Sequence, residues 1–162
     1  MIRDAAGDDL DTIVEIFNAS ISGRLATADT EPVSAAVRRD WFRRHDPAHH
    51  PLLVLERDET VVGWLGFEPF YGRPAYAATA EVSVYVDPRV RRQGVATALL
   101  ARALETAPVL GLSTLLGFVF AHNAPSIALF GRFGFAEWAR LPDVAELDGV
   151  KRSLLILGRP LP

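Results

Sequence analysis

The sequence predicts a mixed α/β fold of the α+β kind, with about seven strands and about four helices packed on them. Three observations carry that expectation. Apolar runs of strand length alternate with stretches whose apolar residues recur every three or four positions. Turn residues such as Arg57-Asp58-Glu59-Thr60, Asp87-Pro88 and Gly134 separate them. At 162 residues, with 49% apolar and 23% charged residues, the chain can bury one sizeable core, so a single domain over 1–162 is expected.

Each element has its own signal. Met1–Asp4 reads as a short strand. Asp8–Ile21 reads as a helix, because Leu10, Ile13, Val14, Phe17 and Ile21 share one face and Asp8, Asp9 and Asp11 suit the positive end of its dipole. Ser34–His45 is a second helix with Val37, Trp41 and Phe42 on one side. Leu52–Glu56 and Val61–Phe67 flank a polar connection and read as a hairpin. Phe70–Ala78, with Gly72 and Pro74, reads as a loop, and Glu81–Val86 as a strand stopped by Asp87-Pro88. A helix starts after Gly94 on the stripe Val95, Leu99, Ala103 and Leu104, and Pro108 lies just past its end. Leu112–Phe120 is a buried strand. Asn123 caps a helix that runs to about Phe133, Gly134 stops it, and strands follow at Phe135–Leu141 and Val150–Leu157.

Composition excludes several functions. A net charge of −3 gives no field to recruit nucleic acid or an anionic membrane. The absence of cysteine removes disulfides, thiolate metal sites, iron–sulfur clusters and cysteine nucleophiles. The longest apolar run, Leu115–Ala121, is too short to span a bilayer. A soluble, cytoplasmic protein is expected.

The segment most able to carry chemistry is Val84–Ala96, where a strand feeds a short basic loop into a helix start. Free N–H groups point outward there, the dipole adds partial positive charge, and Arg91 and Arg92 add full charges. Gly94 and the small Ala96 would let a ligand approach the backbone closely, which suits a pyrophosphate. The plainer reading is a basic loop leading into a solvated helix. Neither a Walker A loop nor a dinucleotide fingerprint is present, since Gly94 is the only glycine in it.

Arg91-x-x-Gly94-x-Ala96 after a valine-rich strand resembles the acetyl-CoA pyrophosphate loop of the GNAT superfamily of N-acetyltransferases. Asn123-Ala-Pro-Ser126, followed by Phe130-Gly-Arg-Phe-Gly134-Phe135, is similar to that superfamily's later cofactor-binding segment. Thr30-Glu31-Pro32, Arg73, Tyr76 and Thr79-Ala80-Glu81-x-x-Val84-Tyr85-Val86 look like the branch that acetylates phosphinothricin and methionine sulfoximine. The resemblance implies a splayed, mostly antiparallel sheet of six to seven strands whose fourth and fifth strands separate to admit the pantetheine arm. It implies that backbone groups of Val84 and Val86 extend the sheet onto that arm. Arg91, Arg92, Gln93, Gly94, Val95, Ala96 and Thr97 would hold the pyrophosphate, with Asn123, Ser126 and Phe130 on the far side. It further implies acetyl-CoA as co-substrate, direct transfer to a small amine, and a homodimer; no metal is expected. The apolar Leu154–Leu157 strand is compatible with a dimer and equally with a core.

Direct attack on a thioester needs a neutral amine, so a carboxylate near it could take the ammonium proton. Glu81 is the candidate, sharing a strand face with Ser83 and Tyr85 while Val82, Val84 and Val86 share the other. The plainer reading makes Glu81 a solvated carboxylate or an arginine's partner. Arg73 and Tyr76 are candidates to meet a substrate carboxylate. The chain departs from the family pattern twice: Phe130 stands where many members have a tyrosine, and Ala28 where the branch has an aromatic. His45, His49 and His50 fit no standard metal spacing and read as a solvated loop, and His122 as a loop histidine at a helix cap. Two other functions compete: acetylation of a peptide N-terminus, and non-catalytic acyl-CoA binding.

Overall fold

The computed structural model describes residues 1–162. Seven strands form one sheet in the order β1-β2-β3-β4-β5-β7-β6. They are β1 (Ile2–Asp4), β2 (Leu52–Arg57), β3 (Thr60–Pro69), β4 (Thr79–Val86), β5 (Thr114–Phe120), β6 (Ala136–Leu147) and β7 (Val150–Pro160). The helices are α1 (Leu10–Ile21), α2 (Ala35–Arg43), α3 (Val95–Thr106) and α4 (Ala124–Arg132). All neighbouring strands are antiparallel except β4 and β5. None of the helices is long and apolar enough to cross a membrane.

Over β2 and β3 the sheet is buried on both faces. Along β2, Leu53 and Leu55 join one apolar cluster while Leu52 and Val54 join the other, the alternation a pleated strand imposes. On one face α3 seats Val95, Leu99, Leu100 and Ala103 against Leu65, Phe67, Val82 and Leu115. On the other, Ile13, Ile16, Phe17 and Ile21 of α1 pack on Val54, Val61 and Trp64, with Trp41 of α2 beside them. Gly63 lets α3 sit this close: a Cβ there would lie 2.6 Å from Val95 Cγ1.

One break positions the site. β4 and β5 pair only through Thr79–Thr114, Ala80–Leu115 and Glu81–Leu116, although β4 runs to Val86 and β5 to Phe120. Beyond Glu81 the two strands separate, as the resemblance implies for the fourth and fifth strands.

Elsewhere the structure extends or reassigns what the sequence suggests. β6 does not stop at Leu141 but continues through Pro142 to Leu147, with its register slipping between Leu141 and Ala145. It lies at the sheet's edge, where a proline without an N–H and an irregular step are tolerated. The Leu154–Leu157 run belongs to β7, an internal strand between β5 and β6, with Leu155 and Leu157 in the core.

Candidate active site

The site begins with β4. Its ladder to β3 is regular from Gly63–Val86 to Pro69–Ala80, with no bulge, so strict alternation holds. Val82, Val84 and Val86 face the α3 side. Tyr85 faces the other, stacked on Trp64 at 4.6 Å and edge-on to Phe17 at 5.2 Å. Glu81 and Ser83 share its parity.

A cavity of about 420 Å³ fills the gap between the separating strands. Glu81, Val84 and Tyr85 line it from β4, Phe118 and Phe120 from β5, and Asn123, Ser126 and Phe130 from α4 and its cap. The segment Leu25–Ala28 and residues Val144, Ala145 and Leu154 complete the wall, which is mostly apolar, and Glu81 is its one carboxylate. Burial, reinforced by the charge of Glu68 directly across the β3–β4 ladder, pushes Glu81 up to about 7. A carboxyl so placed exchanges its proton near neutral pH. Burial also pushes the Tyr85 hydroxyl up to about 12, so it stays protonated, and it donates to Ala26 O at 3.3 Å.

Glu68 is held differently. Burial works to raise it, but His45, Trp41 and Arg44 outweigh that and keep its carboxyl below the usual value. Trp41 Nε1–H donates to Glu68 Oε1 at 2.6 Å.

The start of α3 is open. Gly94 is its N-cap in the left-handed region at φ 79°, with no capping side chain, and nothing lies within 4 Å of where its Cβ would be. The N–H groups of Val95, Ala96 and Thr97 therefore meet no cap. Asp87 fixes the turn leading there, accepting from Arg89 N at 2.9 Å and pairing with the Arg89 guanidinium at 2.6 Å. Gln93 is tied to β2 through Arg57, which donates to its carbonyl at 2.9 Å and its side chain at 3.1 Å. Arg91 and Arg92 are exposed beside it. An uncapped helix start, an open glycine and two free cations fit a pyrophosphate. The β5-facing edge of β4 beyond Glu81, which carries Val84 and Val86, has no strand partner and fits an extended amide-bearing chain.

The α4 cap is occupied by the fold itself. Asn123 Oδ1 accepts from Ser126 N at 3.2 Å and its Nδ2 donates to Leu25 O at 3.1 Å. His122 Nε2 donates to Arg24 O at 2.8 Å, so the turn after β5 straps the Arg24–Leu25 segment over the cavity. Phe130 packs edge-on to Phe135 at 4.9 Å and lies against Gly117.

Not every candidate is brought together. Arg73 and Tyr76 line a second cavity of about 510 Å³ with Arg44, His49, His50 and Thr79, and Glu81 is not in its wall. His45 is not in a solvated loop: its side chain is 6% exposed and sits against Glu68. The loop character holds for His49, exposed and paired with Asp46 at 2.6 Å. Sequence reasoning missed the Trp41–His45–Glu68 group. The only signal was the four-residue spacing of Trp41 and His45, which puts them on one side of α2 and the turn that follows it.

Residues 10–135 match the Acetyltransferase (GNAT) family. The chain belongs to that family. The acetyltransferase is 48% identical over 161 residues, 99% of this chain and 98% of the relative, to YwnH of Bacillus subtilis, provisionally named a phosphinothricin acetyltransferase. It is 31% identical over 149 residues, 91% of this chain and 87% of the relative, to the L-methionine sulfoximine/L-methionine sulfone acetyltransferase of Pseudomonas aeruginosa. Among solved structures it matches the phosphinothricin acetyltransferase of Sinorhizobium meliloti in complex with acetyl-CoA, with a TM-score of 0.93 at 28% identity, covering 99% of this chain and 88% of that one.

Proposed function

We propose that this enzyme moves the acetyl group of acetyl-CoA to the amine of an amino acid or amino-acid analogue, with Glu81 taking the proton the ammonium must lose. The observation that carries the reading is one carboxylate, held near neutrality, in the wall of a mostly apolar cleft between separating strands. The names of the relatives support the substrate class, and the acetyl-CoA complex of one of them supports the donor.

Acetyl-CoA supplies an activated acyl group. The chain supplies the rest. The N–H groups of Val95, Ala96 and Thr97, with Arg91 and Arg92, bind the pyrophosphate at the open Gly94. Gln93 is held in place by Arg57. The free edge at Val84 and Val86 binds the pantetheine amides, and Ser126 and Phe130 wall the far side below the Asn123 cap. An ammonium entering beside Glu81 gives one proton to the carboxylate, leaving a neutral carboxyl and a neutral amine. As the amine nitrogen bonds the acetyl carbon the C–S bond breaks, and the nitrogen's second proton leaves with the thiolate as free thiol. With a proton affinity near neutrality, Glu81 then returns that proton to water. Phe130 has no proton to give, so no acid is assigned at its position.

The test mixes purified protein with acetyl-CoA and methionine sulfoximine, phosphinothricin, methionine amide, an alkylamine or a short peptide, and follows free thiol. Thiol release with the amino acids is expected. Release with the peptide alone would move the reading to N-terminal acetylation, and binding of acetyl-CoA with no release would leave an acyl-CoA-binding module.

A further inference from the structure

An amino acid differs from a plain amine by its carboxylate, and Arg73 and Tyr76 lie outside the wall that holds Glu81. Another cation is better placed. The face of β4 that carries Glu81 and Tyr85 meets a layer of aromatic rings. Phe17 is edge-on to Tyr85 at 5.2 Å, Trp64 is stacked on it at 4.6 Å, and Trp41 is edge-on to Trp64 at 5.5 Å. Arg38 of α2 lies over this layer, its guanidinium carbon 4.3 Å from the centre of the Phe17 ring and 4.6 Å from that of Trp41. A guanidinium held over rings keeps its fork of N–H donors for a planar anion. The chain supplies no such anion. Arg24 pairs with Asp148 and Arg43 with Asp40, but the half-buried Arg38 joins no ion pair.

We infer that Arg38 reads the carboxylate of the amino-acid substrate while the amine sits at Glu81, an inference that rests on the acetyl-transfer reading. The spacing suits an α-amino acid. Trp41, which carries Arg38 over its ring, donates its Nε1–H to Glu68 Oε1 at 2.6 Å, and Glu68 is the β3 partner of Glu81. One indole and one strand spacing of about 5 Å therefore separate the guanidinium from the candidate base. The Tyr85 hydroxyl, in the cavity wall, feels the charges of both Arg38 and Glu81. Phe17 and Trp41 hold the guanidinium in place before substrate arrives, so less side-chain freedom is lost on binding. An alkylamine leaves the N–H fork unanswered, and an amide returns one acceptor and no charge. Arg38 is thus a specificity-determining residue, and Glu81 keeps the chemistry.

The test compares methionine sulfoximine with its carboxamide in wild type and Arg38→Gln. It reads kcat/KM for thiol release and, independently of turnover, calorimetric binding of each compound to the protein saturated with CoA. Wild type is expected to favour the acid by about tenfold to a hundredfold in both readouts, and Arg38→Gln to bring the ratio close to one. A purely structural Arg38 would lower both compounds together and leave the ratio where it was. Arg38→Lys keeps the charge and loses the fork, so its ratio should fall between the two. A wild type without the preference, or a preference that persists in folded Arg38→Gln, overturns the inference. Should Arg38→Gln fail to fold, an undiminished preference in Arg38→Lys overturns it instead. Loss of the preference in Arg73→Gln and not in Arg38→Gln would return the role to Arg73. A binding preference that depends on Arg38, in a protein that releases no thiol, would support the carboxylate site and overturn the acetyl-transfer reading.

Discussion

Two corners of the sheet each hold a pair of carboxylates, and they treat them in opposite ways. Where β1 meets β2, Asp9 and Glu56 share one guanidinium: Arg3 reaches Asp9 at 2.7 and 3.0 Å and Glu56 Oε2 at 2.8 Å. Asp9 also accepts the Ala6 N–H at 2.7 Å, and the Arg3 hydrogen bond above all holds its carboxyl below the usual range. Where β3 meets β4, Glu68 and Glu81 face each other with no guanidinium bonded to either. Trp41 donates to Glu68 and His45 sits against it, while burial and the Glu68 charge act on Glu81. The first corner uses its charges to fasten the N-terminal strand and α1. The second leaves one charge unresolved in a cavity wall, at a cost to stability and to the benefit of proton transfer.

Substitutions at the two corners should therefore change stability in opposite directions. The largest effect is expected from Glu81→Gln. Folded Glu81 holds its proton up to about pH 7 while the unfolded chain loses it near the ordinary value of 4.5, so the wild type loses stability as pH rises across that window. The glutamine variant escapes this and should be more stable by up to about 3 kcal/mol at pH 8 in urea denaturation, with no gain at pH 4. An equal gain at both pH values would show that the charge is not the cause. Asp9→Asn should do the reverse, costing about 2 kcal/mol near pH 7 because hydrogen bonds to a charged group are lost. That cost should vanish as acid protonates Asp9 in the wild type through its lowered value. A cost that persists at low pH would point to packing instead. The smallest effect is expected at the α2 cap, where Ser34 accepts the Val37 N–H at 3.2 Å. Ser34→Ala should cost about 1 kcal/mol, a fall of roughly 2–4 °C in Tm by calorimetry, and an unchanged Tm would mean that α2 is held by Trp41 and Phe42 alone.

Much of the fold was legible because the signals are local. The stripe Val95–Leu99–Ala103, the Asn123 cap and the valine alternation of β4 each set an element without reference to the rest. The features that depend on tertiary position were not. Nothing near Pro142 announces that β6 lies at an edge, so the strand reads as ending there. His45 follows a helix in a polar stretch and reads as exposed, and only the packing of α2 on the sheet turns it toward Glu68. Arg73 is close to Glu81 in sequence, yet the turn at Pro74–Tyr76 carries it to the other cavity. Glu81 itself was legible as a candidate through strand alternation and family resemblance. Its proton affinity was not, because its burial and its Glu68 neighbour both arise only once the strands pair.

The role of Glu81 is tested most directly by acetyl-transfer rates of wild type and Glu81→Gln on one amino-acid substrate from pH 6 to 10, at saturating acetyl-CoA. If Glu81 removes the ammonium proton, the variant should be slower by about 10²-fold or more at pH 7. The gap should close as pH rises and more of the amine arrives already neutral. Equal rates at pH 7, or a deficit that stays constant across the whole range, would contradict it.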